Sequence, residues 1–136
     1  MADLKLIFCA QNVGLANRLR AFAGYYALAK TTEVELSVCW IEDAGCQAHF
    51  NSLFVTDLTN DIEFITEDDI SRIQNAKIEN TCDWYSSMYK RYSYKVTVTK
   101  KKFCSEARYF LRSLEPVEPI AKKIKNRTEE NDISQF

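Results

Sequence analysis

The sequence lacks the features that define several large classes of protein. No apolar run approaches the roughly 18 residues that a membrane-spanning helix needs. The N-terminus has neither the basic region nor the long apolar stretch of a secretory signal, so we expect a cytoplasmic location. The formal net charge is −1, which gives no electrostatic support for binding nucleic acid or an anionic membrane surface.

Metal-ligating residues are also scarce. His49 is the only histidine and no ligand cluster surrounds it, so we predict that the chain has no metal site. The five cysteines are odd in number and show no C-x-x-C spacing, and we expect them to be reduced and structural. Cys9 and Cys39 fall within strand-like runs, where a buried thiol acts as a small apolar residue.

What the chain does have is the composition of an ordinary globular domain. Its 136 residues are 46% hydrophobic and 27% charged, which is enough to bury one core and too apolar for disorder. We predict a single α/β domain over residues 1–125 and a polar C-terminal tail over residues 126–136.

Apolar periodicity predicts an alternation of strands and helices. A buried strand over Leu4 to Cys9 precedes a helix over Asn17 to Lys30 and a second strand over Glu35 to Trp40. A third strand is expected over Asp61 to Thr66. A strand, helix and strand in this order imply a right-handed parallel crossover. The expected fold is therefore a Rossmann-like three-layer domain with a mostly parallel sheet.

The second half of the chain carries weaker signals. Thr66-Glu67-Asp68-Asp69 has the pattern of a capped helix start. Residues 76 to 95 are expected to be irregular, with a further strand over Tyr94 to Thr99. The segment from Phe103 to Leu114 is amphipathic, and prolines precede a last predicted helix near Ile120 to Ile124.

The turn between the first strand and the first helix is a candidate anion-binding site. The first backbone N–H groups of a helix have no internal partner and lie at the positive end of its dipole. Gly14 would let the backbone approach a ligand closely, Asn17 offers a neutral amide, and Arg18 adds a cation. The turn is not the GxGxxG fingerprint, because the other nearby glycine, Gly24, lies inside the helix.

Each of these residues also has a purely structural interpretation, and the sequence leaves both open. Asn17 is a residue type that caps helices, and Gly14 could serve the turn alone. Arg18 could bind a phosphate, or it could hold the local fold by pairing with a carboxylate such as Asp43.

Other residues with chemical potential are assigned to packing or to the surface. Trp40, Phe50 and Phe54 could form the floor of a sugar site, but such aromatic residues are more often core, as we predict here. His49 could act as a general base, yet no nucleophile or orienting carboxylate is recognisable beside it. The tyrosines and basic residues between Tyr85 and Lys102 could hold single-stranded nucleic acid or a glycan, but a solvated face is the preferred interpretation.

Several blocks of sequence, in order, resemble the start of fucosyltransferase-like glycosyltransferases. They are Gly14-Leu15-Ala16-Asn17-Arg18-Leu19-Arg20-Ala21 with Ala27-Leu28-Ala29-Lys30, then Leu36-Ser37-Val38-Cys39-Trp40, then Cys46-Gln47-Ala48-His49-Phe50-Asn51-Ser52-Leu53-Phe54. The similarity covers residues 4 to 54. Beyond them it is limited to the Leu114-Glu115-Pro116 turn.

The resemblance implies a fold, a reaction and a site. The fold would be the N-terminal half of a GT-B-like glycosyltransferase, which transfers a sugar, usually fucose from GDP-fucose, to a glycan acceptor. Asn17 matches the asparagine that lies beside the donor in that family. The implied nucleotide-sugar or acceptor-binding residues are Gly14, Asn17 and Arg18, and the family needs neither a metal nor a cofactor besides the donor substrate.

The resemblance ends before the arginine motif of that family. A His-x-Arg-Arg-like block opens the second half of these enzymes and neutralises the departing diphosphate, and these residues contain no such block. We therefore expect a truncated half-enzyme that is inactive alone and has no catalytic residue of its own. Its cleft would be covered by a second domain, a partner protein or a second copy.

Two alternatives belong to other classes of function. The first is a stand-alone α/β binding or interaction module that kept the fold and lost the chemistry. The second is an unrelated small nucleotide-binding protein, for instance one with a flavodoxin-like fold.

Overall fold

The computed structural model describes residues 5–32, 34–73, 76–80, 84–92 and 94–117. The strands are β1 (Lys5–Ala10), β2 (Glu35–Trp40), β3 (Phe54–Val55), β4 (Glu63–Phe64), β5 (Ala76–Glu79) and β6 (Glu115–Pro116). The α-helices are α1 (Leu15–Thr31), α2 (Phe50–Leu53), α3 (Glu67–Ile70), α4 (Tyr85–Arg91) and α5 (Lys100–Ser113), and Asp57–Thr59 forms a 3₁₀ turn.

Four of the strands form one parallel sheet in the order β4-β2-β1-β5. Counted along the chain, the strands of this sheet lie in the order 3-2-1-4. That is the order of a Rossmann half, whereas flavodoxin-like sheets begin 2-1-3. β3 and β6 pair antiparallel in a separate two-stranded sheet. The prediction of an α/β domain with a mostly parallel sheet is confirmed, and the flavodoxin-like alternative does not fit the strand order.

Helices cover both faces of this sheet. Leu6 and Phe8 of β1 belong to the main core, which they share with residues of α1, α4 and α5. Ile7 and Cys9 point to the opposite face, where they join a smaller apolar cluster that includes Ile70 of α3. The alternation follows from the period of two in a strand. The result is the three-layer arrangement expected of a Rossmann-like fold.

The central helix α1 is buried on every side over residues 21–28. It lies against the sheet, α4 and α5 at once, so it lacks the polar face that a surface helix carries. Gly24 allows the close approach of α4, since a Cβ there would lie 2.3 Å from Met88 Sδ and 3.2 Å from Tyr85 Cα. The predicted helix over Asn17 to Lys30 is confirmed, with two more residues at its start and one at its end.

Threonine side chains cap the N-termini of α3 and α5. Thr66 accepts a hydrogen bond from the backbone N–H of Asp69, whose carboxylate accepts in return from the Thr66 N–H, so the predicted capping pattern is confirmed. Thr99 accepts from the Lys102 N–H, and α5 therefore begins before Phe103, the predicted start of its amphipathic segment.

Two predictions for the middle of the chain are wrong. Residues 76 to 95 were expected to be irregular, but they contain β5 and α4. β5 pairs only with β1 among the described strands and is largely exposed, so it lacks the apolar run of a buried strand. The strand predicted over Tyr94 to Thr99 is absent. There, the Lys95 and Val96 N–H groups bond to the Tyr92 carbonyl in a turn, and Val96 alone is buried among the apolar residues of this segment.

The third strand is confirmed but shorter than predicted, with Glu63 and Phe64 paired to β2. The expected helix near Ile120 to Ile124, the tail over residues 126–136 and Cys82 lie outside the described residues. In the part of the chain that is described, no helix is both long enough and apolar enough to cross a membrane.

Candidate functional site at the carboxyl edge of the sheet

The loops that follow β1 and β2 lie side by side at the carboxyl edge of the sheet. Residues 11–14 lead from β1 into α1, and residues 41–46 follow β2 and close on themselves through paired hydrogen bonds between Asp43 and Cys46. In open parallel sheets, ligands bind outside the carboxyl ends of the strands, near the point where the strand order reverses. That point lies between β1 and β5 here.

Arg18, in the first turns of α1, joins the two loops. Its side chain is fully buried. The guanidinium donates from Nε to the Val13 carbonyl (2.8 Å), from Nη1 to the carbonyls of Ala10 (3.2 Å) and Ile41 (2.6 Å), and from Nη2 to Asp43 Oδ1 (2.7 Å). A planar donor fork suits this set of acceptors, which a single ammonium could not reach together.

Asp43, in the loop that follows β2, is the fourth acceptor of Arg18, and we call this set of hydrogen bonds the Arg18 clamp. Its carboxylate accepts from the backbone N–H groups of Asn12 (2.7 Å) and Gly45 (2.9 Å) as well as from Arg18. The bond from the Asn12 N–H is the largest cause that lowers the pKa of this carboxyl below its usual value, and Gly45 and Arg18 lower the pKa further. Asp43 is therefore held ionised.

The pairing of Arg18 with Asp43 was one of the two roles that the sequence left open. A phosphate-binding role for Arg18 stays a prediction, and a phosphate could approach the guanidinium only if protein acceptors moved away. Arg18 therefore positions the two loops.

Gly14 is the N-cap residue of α1, and its backbone does not require glycine. Its φ of −71° and ψ of 169° suit any residue, and a Cβ at this position would meet nothing closer than the Gly45 carbonyl oxygen at 4.0 Å. The special geometry of the turn lies at two residues that sequence reasoning missed. Asn12 has a φ of 62°, and a Cβ on Gly45 would lie 2.5 Å from the Val13 carbonyl oxygen. The Asp-Ala-Gly spelling at residues 43–45 was the available turn signal.

Asn17 lies exposed in the first turn of α1 and does not cap it. The cap position belongs to Gly14, and among the described residues no side chain satisfies the first N–H groups of the helix, so the interpretation of Asn17 as a cap is wrong. The first backbone bond of the helix runs from the Arg18 N–H to the Gly14 carbonyl at 3.1 Å. The N–H groups of residues 15–17 thus precede the helical ladder, and none of the described residues hydrogen-bonds the Asn17 side chain.

Trp84 and Arg20 add a mixed aromatic and basic surface beside this turn. Arg20 lies three residues after Asn17, on the same side of α1, and its guanidinium carbon stands 4.2 Å from the centre of the Trp84 ring. Trp84 is the N-cap residue of α4 and is 54% exposed. Sequence reasoning missed this pair, because the two residues meet only when α1 packs against α4.

Comparison with protein-family models, curated proteins and solved structures found no match.

Trp40, Phe50, Phe54 and His49 lie where the preferred interpretations placed them, whereas Tyr92, which was expected on a solvated face, is buried in the main core. Phe50 and Trp40 are core residues and Phe54 is half-buried against them, as predicted. His49 is half-buried, caps α2 by accepting from the Asn51 N–H at 3.1 Å, and packs against the Phe64 ring. Among the described residues, no group of three His, Cys, Asp or Glu side chains is arranged to hold a metal ion.

Proposed function

We propose that this chain is the N-terminal, Rossmann-like half of a fucosyltransferase-like glycosyltransferase. In this proposal the carboxyl edge of the sheet holds part of a nucleotide sugar, such as GDP-fucose, or of its glycan acceptor. Gly14 and Asn17 contact the ligand, and Arg18 positions the turn that carries them.

The observation that carries the proposal is the open start of α1. No side chain in the described part of the protein caps the helix, and Gly14 leaves the first N–H groups uncovered although its backbone conformation would accept any residue. An uncapped helix start at the carboxyl edge of a parallel sheet suits an anionic or hydroxylated ligand. The exposed amide of Asn17 can add a hydrogen bond without adding negative charge.

The same geometry explains why the chain is proposed to be inactive alone. Developing charge on a departing diphosphate needs a cation that is free to approach it. Arg18 is occupied by four protein acceptors, and Arg20 stacks on Trp84. In the proposal, the cation comes from a second domain that closes over this edge.

Titration of the chain with GDP-fucose tests the proposal by NMR. We expect a saturable shift of the Asn17 side-chain amide and of the backbone amides of residues 15–17. The variant Asn17→Ala should weaken binding without lowering the melting temperature, because the side chain makes no hydrogen bond within the described protein. Asn60→Ala is the matched control, since Asn60 is also exposed but lies beyond the 3₁₀ turn.

Unshifted Asn17 signals at saturating ligand would contradict the proposal. In a protein that carries both halves, Asn17→Ala should abolish sugar transfer while the fold stays intact. Wild-type turnover in that variant would contradict the assignment of Asn17.

A second proposal, an interaction module without catalysis, is favoured by a different observation. Three large apolar side chains stay exposed along β5, α4 and the turn that follows: Ile78, Trp84 and Tyr94. Exposed apolar groups of this size on a small domain are typical of surfaces that a partner covers. A monodisperse monomer in light scattering, with no protein retained in a pull-down, would count against this alternative.

A further inference from the structure

A concave site lies at the carboxyl edge of the sheet, next to the loop of residues 41–46 that follows β2. It is an open cavity of about 310 Å³ at the carboxyl ends of β2 and β4. The residues that give it its chemistry are Trp40, Glu42, His49, Phe64 and Glu67. Its volume lies at the lower end of the range for small-molecule sites.

His49 presents a defined hydrogen-bonding state to this cavity. Its Nδ1 accepts from the Asn51 N–H, so the neutral imidazole carries its proton on Nε2. The ring is held edge-on to Phe64, with 5.4 Å between ring centres. None of the described residues accepts from Nε2, which leaves one oriented donor on the lining.

The charges of the lining exclude one class of ligand and favour another. Among the described residues, Glu42 and Glu67 are the two carboxylates of the lining, and neither lysine nor arginine lines the cavity. A phosphate or carboxylate would be repelled there, whereas hydroxyl groups can donate to both carboxylates. The half-buried Phe64 supplies apolar surface of the kind against which the C–H face of a sugar ring packs, whereas Trp40 is only 5% exposed.

We propose that this cavity binds a neutral pyranose ring. His49 Nε2–H donates to one oxygen of the sugar, and Glu42 and Glu67 accept from its hydroxyls. The identity of the ligand as a carbohydrate rests on the proposed function. The hydrogen-bonding groups of the lining follow from the geometry of the cavity alone.

Trp40 links the cavity to the start of α1, because it lines the cavity and contacts Arg18. The centre of its ring lies 5.2 Å from the Arg18 guanidinium carbon. The Trp40 indole N–H also donates to the Ala48 carbonyl at 2.9 Å, which holds the ring in place. Phosphate chemistry thus belongs to the open amides of α1, and sugar hydroxyls belong to the acidic cavity.

The single histidine gives the test a unique reporter, because only His49 contributes imidazole signals to the NMR spectrum. The probes are methyl β-D-galactopyranoside, methyl β-D-glucopyranoside and L-fucose, with methyl β-D-glucuronide as the matched anion. We expect a saturable shift of the His49 signals with at least one neutral sugar and weaker binding of the glucuronide. If no neutral sugar shifts them up to its solubility limit, the proposal is overturned.

Two variants separate the roles of the lining residues. His49→Asn keeps a side-chain acceptor for the Asn51 N–H, so α2 stays capped, but it removes the Nε2 donor. The affinity for the neutral sugar, read from the Ile65 backbone amide, should fall about fivefold, as for the loss of one hydrogen bond. Glu67→Gln should raise the affinity for the glucuronide, whereas Glu63→Gln, on β4 but outside the cavity lining, should not.

A parallel titration with GDP, read at the Asn17 side-chain amide, distinguishes the two proposals. Sugar binding at His49 without any response of Asn17 to GDP would support the cavity and count against a nucleotide site at α1. A response of Asn17 with silent His49 signals would overturn the cavity proposal and leave the proposed function standing.

Discussion

At the scale of single residues, the buried guanidinium of Arg18 joins the loops that follow β1 and β2. It donates to the carbonyls of Ala10, Val13 and Ile41 and pairs with Asp43. Burying a cation is costly unless its hydrogen bonds are satisfied, and here protein acceptors on both loops satisfy them. The geometry of the candidate site therefore depends on one side chain that lies beneath it.

Arg18→Lys should lower the free energy of unfolding by about 2–3 kcal/mol, because an ammonium cannot replace the planar fork and leaves buried carbonyls unpaired. Urea unfolding at neutral pH measures the change. Arg20→Lys is the control, with an expected loss below about 1 kcal/mol, since only the contact with the exposed Trp84 ring is weakened. Equal losses of stability for the two substitutions would contradict the conclusion that the hydrogen bonds of Arg18 hold the two loops together.

The Asp43 carboxyl makes stability depend on acid pH. Its pKa is lower in the folded protein than the usual value of 3.8, mainly because the Asn12 N–H donates to it. Its contribution is therefore complete above the unfolded pKa and is lost as pH falls through the lower folded pKa. The gap in unfolding free energy between wild type and Asp43→Asn should be constant near neutral pH and shrink below about pH 4. A gap that does not change in acid would contradict this account.

Gly14→Ser separates folding from binding at the start of α1. The backbone at Gly14 is compatible with serine, whose hydroxyl would cap the helix, so we expect a gain in stability of about 0.5–1 kcal/mol. The same side chain would cover the N–H groups proposed to meet the ligand, so affinity for GDP-fucose should fall. Thermal unfolding and NMR titration measure the two effects. A more stable variant with unchanged affinity would remove Gly14 from the site.

At the scale of elements, the contact between α1 and α4 depends on the missing side chain of Gly24. A Cβ there would overlap the side-chain end of the fully buried Met88, which would have to repack, and would lie 3.2 Å from Tyr85 Cα. The contact also brings Trp84, at the start of α4, over Arg20 of α1. The position of α4 therefore shapes one side of the candidate site.

Gly24→Ala should destabilise the protein by about 1 kcal/mol, because overpacking outweighs the better helix propensity of alanine. Thermal unfolding should show a melting temperature lower by about 3–5 °C. In a Met88→Ala background the same substitution should cost less or become stabilising, because the overlapping atoms are gone. Equal costs in both backgrounds would show that Met88 is not the obstacle.

At the scale of the whole molecule, the parallel sheet is the unit that we expect to open last. Cys9 and Cys39 lie in register on β1 and β2 and are almost fully buried. Burial raises the pKa of the Cys39 thiol to about 12 and also raises that of Cys9. Both thiols are therefore protonated and covered at neutral pH, and reagents reach them only when the sheet opens.

Pulse alkylation followed by mass spectrometry tests this expectation. Cys46, which is partly exposed in the β2 loop, should react in the native protein. Cys9 and Cys39 should react only across the same range of urea over which circular dichroism reports loss of the fold. Alkylation of Cys39 before that transition would show that the sheet opens locally.

The sequence predicted β1, α1 and β2 to within two residues, because each of them carries a local pattern that burial requires. Continuous apolar runs mark strands covered on both faces, and the Thr66 cap marks a helix start by its own side-chain chemistry. β5 was not predicted because an exposed edge strand has no apolar pattern in its sequence. It is stabilised by its hydrogen bonds to β1 rather than by burial of its side chains. Tyr94 to Thr99 had a strand pattern, but the segment forms the turn after α4 at one end and the Thr99 cap of α5 at the other.

The candidate site likewise has features that the sequence predicts and features that depend on the tertiary structure. By itself the sequence determined that a glycine turn joins a buried strand to a helix and that Asn17 follows it, since both are local properties of the chain. Only the tertiary structure decided that Asp43 pairs with Arg18 and that Gly14 leaves the first N–H groups of α1 uncovered. It also decided that Asn12 and Gly45, rather than Gly14, have the special backbone geometry of the turn. It alone placed His49 among carboxylates at the ends of β2 and β4. These outcomes depend on groups far apart along the chain, which meet only when the parallel strands bring their carboxyl ends to one edge.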